Sequence, residues 1–294
     1  MAPEVHRTWQ VGGVRITKVV EIAAALPPMP PDALLTGATR DLVRSLEWLH
    51  PHFATPDGQL VISLHGFVVE SQGRRIMIDT CIGNDKIRTS ERFNRLQGSF
   101  LSDLAAIGNP PERIDTVLCT HLHVDHVGWN TRLVDGKWVP TFPNARYLFG
   151  RAEWAYWSNA APQRAGDVIG DSVRPIFDAG LADLVDPPYR LTDEVSLEPT
   201  PGHTPGHLSV RIVSAGAEAV ITGDMVHHPL QCAHPRLGNP ADVDADAAWR
   251  TRLDLFGRCA DRPVLVLGSH FAPPTGGWIV SDGAHWRFST DRPA

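Results

Sequence analysis

Residues 121–126 read His-Leu-His-Val-Asp-His, and this segment restricts the chain more than any other. Four side chains able to bind a cation fall within six residues. Crowded into an apolar interior without partners, they would carry a large desolvation cost. A metal ion removes that cost. Catalytic zinc takes imidazole nitrogens and carboxylate oxygens at ~2.0–2.2 Å, commonly with three protein ligands and an open position. On an extended backbone His121 and His123 project to the same side and can share one cation. Asp125 and His126 lie where the chain must turn, within reach of a second.

The surrounding pattern predicts where such a cluster sits. Residues 13–22, 59–70 and 74–80 have the β-branched, partly alternating character of strands. The segment 116–120 (TVLCT) is a short apolar strand running straight into the histidines. The runs 219–223 (AVITG) and 263–269 (PVLVLGS) end at Asp224 and His270, and 194–200 (EVSLEPT) is followed by His203 in a Pro-Gly-His turn. Functional groups gathered at strand ends are how α/β scaffolds build sites. Helices are predicted over 96–107, 151–160, 172–180 and 244–260. In the last, Trp249, Leu253, Phe256 and Cys259 recur at helical spacing. Residues 26–57 are proline-rich and too long for an ordinary connector, which suggests a lid. Trp48, His50, His52 and Phe53 within it could wall a pocket.

Composition excludes several classes. The net charge of −6 over 294 residues disfavours a nucleic-acid binder, which needs a basic face. No apolar run approaches the ~18 residues of a membrane span, and the first residues lack a secretory layout. A cytoplasmic protein is therefore expected. The four cysteines are scattered without a Cys-x-x-Cys pair, so neither a disulfide framework nor a thiolate zinc site is predicted. Histidine, by contrast, occurs 14 times against 3 tyrosines.

Taken in order, Ile78-Asp79-Thr80, His121-Leu122-His123-Val124-Asp125-His126, Pro201-Gly202-His203, Thr222-Gly223-Asp224 and Ser269-His270 resemble the signature of the metallo-β-lactamase superfamily across about residues 60–275. The resemblance implies an α/β chain folded as a four-layer αβ/βα sandwich. We expect one domain over 1–294, with 26–57 as an N-terminal loop covering the active site. It also implies two zinc ions per chain, the first on His121, His123 and His203, the second on Asp125, His126 and His270, with Asp224 bridging. Asp79 would orient a ligand histidine. The implied mechanism is attack by a metal-bridging hydroxide, with Asp125 orienting the nucleophile and moving its proton. His207, four residues after His203, is a rival ligand, but its place at the start of a strand suggests a structural role.

Within the superfamily, aspartate rather than cysteine at 224 points away from the best-known β-lactamases. The pattern is most similar to the branch of N-acyl homoserine lactonases and methyl parathion hydrolase. His227 stands where the best-known lactonases have a substrate-holding tyrosine, and is expected to be catalytic. Trp129, Trp48 and Phe53, with Trp154 and Trp157, are candidates to line an apolar cleft. The expected partner is a small lactone or ester, with neither nucleic acid nor membrane involved, and the apolar N-terminal region is compatible with a homodimer. The alternatives are an organophosphate or phosphodiester hydrolase of the same fold, and a non-hydrolytic metal-dependent binding or redox protein.

Overall fold

A computed structural model of the protein describes residues 6–22, 28–161 and 163–292. Residues 26 and 27 of the expected lid, and the ends of the expected 1–294 domain, lie outside these. Within the described residues the chain forms two seven-stranded sheets and a separate hairpin. The first half supplies β1 (Thr8–Val11), β2 (Val14–Ile22), β3 (Leu64–Ser71), β4 (Arg74–Ile78), β5 (Thr116–Leu118), the hairpin strands β6 (Thr131–Val134) and β7 (Lys137–Pro140), β8 (Arg146–Gly150) and β9 (Ala182–Val185). The first sheet has the order β1-β2-β3-β4-β5-β8-β9. Its first four strands are antiparallel, and β4, β5, β8 and β9 run parallel. The second sheet follows chain order: β10 (Tyr189–Arg190), β11 (Val195–Pro199), β12 (Leu208–Ser214), β13 (Ala217–Ile221), β14 (Val264–Leu267), β15 (Gly276–Asp282) and β16 (His285–Ser289). Only β13 and β14 pair in parallel there.

Side-chain alternation makes the layers. In β4, Ile76 and Ile78 enter the apolar layer between the sheets while Met77 points outward. In β13, Ala219 and Ile221 face inward and Val220 outward, and in β14 Leu265 and Leu267 oppose Val264 and Val266. Strands buried on both faces read as continuous apolar runs, which is why 76–78 and 264–267 show no polar alternation. Helices cover the outer faces: Phe100–Ala106 and Val168–Ser172 on the first sheet, Ala245–Cys259 on the second. The αβ/βα sandwich expected from the sequence is the fold of this chain.

Local details differ. The helix expected over 172–180 is two short helices, Val168–Ser172 and Arg174–Asp178. Pro175 opens the second, where its missing N–H costs nothing. Asp244 caps the long helix by accepting from Ala247 N at 2.9 Å. Its buried face is Ala248, Arg252, Leu255, Phe256 and Cys259, so Trp249 and Leu253 sit on the flank. Arg252 draws that face inward: its guanidinium donates to Pro235 O at 3.0 Å and Met225 O at 3.4 Å. The described part of 26–57 is a packed segment rather than a bare loop. It contains the helices Pro31–Leu34 and Arg40–Arg44, and buries Leu35, Val43, Leu49 and Phe53 outside the second sheet. No helix among the described residues is long and apolar enough to cross a membrane.

His228 pins this segment down. Its Nε2 donates to Phe53 O at 2.8 Å while Nδ1 accepts from Leu230 N at 3.1 Å, an arrangement only the neutral ring can make. Burial pushes its pKa down to about 4. The unfolded chain takes up this proton near pH 6.5, so stability is full above 6.5 and declines as pH falls towards 4. We expect the stability advantage of the wild type over His228→Gln, measured by urea unfolding, to shrink by about 2 kcal/mol between pH 7 and 4.5. A constant difference would contradict the neutral-ring account.

Candidate metal centre

The sequence-predicted site residues collect at the C-terminal ends of β4, β5, β11, β13 and β14. After β5 the chain passes through Thr120 into His121, and a single helical turn, Val124–Val127, follows His123. That turn seats against residues 80–83 through Thr80 N to His126 O (2.7 Å), Gly128 N to Cys81 O (2.7 Å) and Trp129 N to Thr80 O (2.8 Å). A Cβ on Gly128 would lie 1.8 Å from Ile82 O, so the close approach requires glycine. Asp224 sits in the turn Gly223–Met225 after β13, where Gly223 has φ +55° and leaves room for His207.

The donor atoms converge. His123 Nδ1 lies 3.0 Å from His121 Nε2 and 2.9 Å from His203 Nε2. Asp224 Oδ2 is 3.7 Å from His121 Nε2 and 3.5 Å from His203 Nε2, while its Oδ1 is 3.3 Å from His126 Nε2 and 3.0 Å from His270 Nε2. Asp125 reaches His126 Nε2 at 3.7 Å and His270 Nε2 at 3.6 Å. Ligand atoms around a tetrahedral cation with ~2.0 Å bonds stand ~3.3 Å apart. One imidazole nitrogen cannot bond two others, and His126 Nε2 and Asp224 Oδ1 are buried with no hydrogen bond. A divalent cation satisfies both sets, so this donor set fits metal.

The electrostatics agree. Burial holds His121 and His123 well below the usual histidine pKa, keeping the rings in the neutral form that metal binding requires. Burial also opposes charge on Asp224, but His126, His270 and His227 outweigh it and hold the carboxyl well below its usual range. At His126 burial is outweighed by Asp224, Asp79 and Asp125, which raise its pKa well above the ordinary value. These carboxylates demand positive charge at this point.

Supporting contacts fix the donors. Asp79, at φ +56°, accepts from Thr120 N (2.7 Å), Thr120 Oγ1 (2.9 Å) and His126 Nδ1 (2.8 Å). His207 lies behind the cluster: Nδ1 donates to Thr200 Oγ1 at 2.7 Å and Nε2 accepts from Asp224 N at 2.8 Å. Burial pushes its pKa down to about 3, so it stays a neutral acceptor. Two acids escaped the sequence reading. Asp242 Oδ1 accepts from His203 Nδ1 at 2.8 Å; it belongs to the acidic run Asp242-Val243-Asp244-Ala245-Asp246, where nothing sets it apart. Glu153, buried on a short helix, accepts from Leu122 N (3.0 Å), Gly206 N (3.0 Å) and Trp157 Nε1 (2.7 Å), joining the two histidine loops. Its only sequence trace is Gly206, where a Cβ would meet Glu153 N at 2.1 Å.

A cavity of about 1120 Å³ lies over the cluster, with His123, Asp125, His203, Asp224 and His270 in its floor. His227 also faces it, with Nε2 3.2 Å from Asp224 Oδ2. Met29, Ala33 and Leu34 bring the N-terminal segment to its wall, and Trp157 lines another side. The expected wall residues His50 and His52 do not line it, and nor do Trp129, Phe53 and Trp48. The Trp129 indole donates to Glu21 at 2.6 Å and stacks on Phe100. Phe53 is locked among His228, Phe271 and Phe288, and Trp48 packs on the layer outside the second sheet. Each is consumed by core packing. Trp154 likewise stacks on Phe177.

The family profile of the metallo-β-lactamase superfamily matches residues 65–270. This chain belongs to that superfamily. Among relatives of this superfamily member, an N-acyl homoserine lactonase of a Bacillus species is 25% identical over 170 residues, covering 54% of this chain and 61% of the lactonase. The chain thus spans about 61% of the length of that curated relative. The solved structure of hydrolase AbOPH, described as in the beta lactamase superfamily, superposes with TM-score 0.79 at 26% identity, covering 98% of this chain and 97% of that one. The dizinc quorum-quenching lactonase AidC, solved in complex with a product, shares the fold with TM-score 0.75 at 18% identity, each chain being 97% covered.

A carboxylate behind a ligand histidine typically governs metal affinity by 10–100-fold. For this superfamily member, Asp242→Asn is expected to weaken metal binding by about 10–100-fold in competition with a chromophoric chelator. Unchanged affinity would mean that the Asp242–His203 contact only packs.

Proposed function

We propose that the protein is a dinuclear zinc hydrolase that opens lactones or cleaves carboxylic esters of the N-acyl homoserine lactone type. The observation that carries this reading is the convergence of seven candidate ligand side chains at a large, partly apolar cavity, five of them in its floor and His121 and His126 buried beneath it. His121, His123 and His203 would hold one cation, Asp125, His126 and His270 the other, and Asp224 both. When bound, such a pair polarises a carbonyl and lowers the pKa of water to near neutrality.

The protein's own groups divide the remaining work. Asp125 is half-buried at the cavity floor, where its carboxylate can take a proton from attacking water and return it to the leaving alkoxide. The carbonyl carbon gains the water oxygen, the C–O bond to the alcohol breaks, and acid and alcohol result. Burial lowers the pKa of His227, so its neutral ring can donate a hydrogen bond to a substrate oxygen beside Asp224. Met29, Leu34, Ile62, Leu64 and Phe93 offer an apolar wall for an acyl chain. The segment from Met29 to Leu34 supports the lid reading within a single domain.

The test is metal content together with turnover of an acyl homoserine lactone, an aryl ester, methyl parathion and a penicillin. We expect two zincs per chain and lactone or ester hydrolysis that is lost on chelation and restored by zinc. Turnover of methyl parathion alone would move the protein to organophosphate chemistry, and absence of metal after zinc loading would overturn the reading. His227→Ala should lower kcat by roughly 100- to 1000-fold with zinc content intact; unchanged kinetics would remove His227 from the reaction.

A further inference from the structure

Two exposed arginines, Arg92 and Arg164, stand on the lip of the cavity. Neither guanidinium has an ion-pair partner among the described residues. They come from distant parts of the chain, and the backbones carrying them are bonded together. Thr89 N donates to Ala165 O at 3.1 Å, and Thr89 Oγ1 to Arg164 O at 2.7 Å.

Both carriers are anchored. The Arg88 guanidinium makes two bonds to Asp171, at 2.6 and 3.0 Å. Lys86 Nζ donates to Thr131 Oγ1 (2.6 Å) and Asp171 O (2.9 Å), with its ammonium 3.6 Å from the centroid of the Trp138 ring. Lys86, Arg88 and Asp171 are all buried. Such a buried ionic cluster is a weak source of stability compared with apolar packing. It does fix the strap that follows. Arg95 N donates to Lys86 O at 2.7 Å and Arg88 N to Asn94 Oδ1 at 3.0 Å, closing the turn that presents Arg92. On the other side, Gln163 Nε2 donates to Leu122 O at 2.5 Å, tying the Arg164 turn to the ligand loop. Glu91 shares the lip and pairs with neither arginine.

We infer that Arg92 and Arg164 form a carboxylate clamp at the cavity mouth, and that the substrate is an acidic ester or lactone whose carboxylate lies remote from the bond that breaks. This rests on the ester-hydrolase reading and, within lactones and esters, selects acidic substrates over neutral acyl homoserine lactones. A guanidinium presents parallel N–H donors that match a carboxylate, and turns already held in place lose little freedom on binding. Exposure at the lip makes the contact sensitive to salt.

The test is calorimetric binding of two uncleavable analogues to the zinc-loaded full chain: the mono-butylamide of adipic acid and neutral N-butylhexanamide. We expect the acid to bind about tenfold or more tighter, a preference that weakens with salt and collapses towards one in Arg92→Gln/Arg164→Gln. Equal binding by the wild type overturns the clamp. So does a preference that survives in the double variant, since the carboxylate would then sit on the metals. Turnover of the 4-nitrophenyl half ester of adipic acid and of 4-nitrophenyl hexanoate is measured alongside. Hydrolysis of neither, with the binding preference intact, sinks the ester-hydrolase reading and leaves the clamp standing.

Discussion

The structure depends on gathering buried carboxylates and imidazoles around points that call for positive charge. Asp224 is 3% exposed and touches four histidines of the ligand set, while Asp79 and Asp242 lie behind two of them. Carboxylates withdrawn from water are costly unless paired. Hydrogen bonds satisfy the outward nitrogens of His126 and His203. The inward atoms meet one another, and a divalent cation between them would satisfy both sets.

Everything around the cluster keeps its loops from relaxing. The sheets bring five strand ends to one edge, and the loops are then bonded to each other rather than merely to their own strands. Asp79 joins β4 to the His121 loop, Glu153 joins that loop to the His203 turn, and His207 holds the backbone of Asp224. Each of these bridging groups is buried, where a hydrogen bond is strengthened by the low dielectric. Preorganisation of this kind keeps the imidazole nitrogens aimed inward, as a metal site would need.

The fold and the convergence of these side chains were legible in the sequence, because metal-binding chemistry calls for particular residue types and short buried strands are continuous apolar runs. The run 116–120 leading into His121 predicts both a strand and the site at its end, and the ordered aspartate and histidines predict the fold. The supports were harder to read. Glu153 resembles any helix-surface acid, and Asp242 is one acid among neighbours; only their tertiary partners distinguish them. The tryptophans misled for the opposite reason. Trp129 lies three residues from His126, but its side chain turns towards Glu21 and Phe100, so nearness in sequence did not become nearness to the cavity. The inward face of the helix Ala245–Cys259 was misplaced because a buried arginine, Arg252, occupies a position that periodicity assigns to apolar residues.

Where metal binds is the most direct test of the proposed dinuclear site. A crystal structure of the zinc-loaded protein, with anomalous data at the zinc edge, reads this without reference to activity. Two peaks are predicted, one within bonding distance of His121, His123 and His203, the other of Asp125, His126 and His270, with Asp224 in contact with both. A single peak, or metal bound away from these side chains, would contradict it.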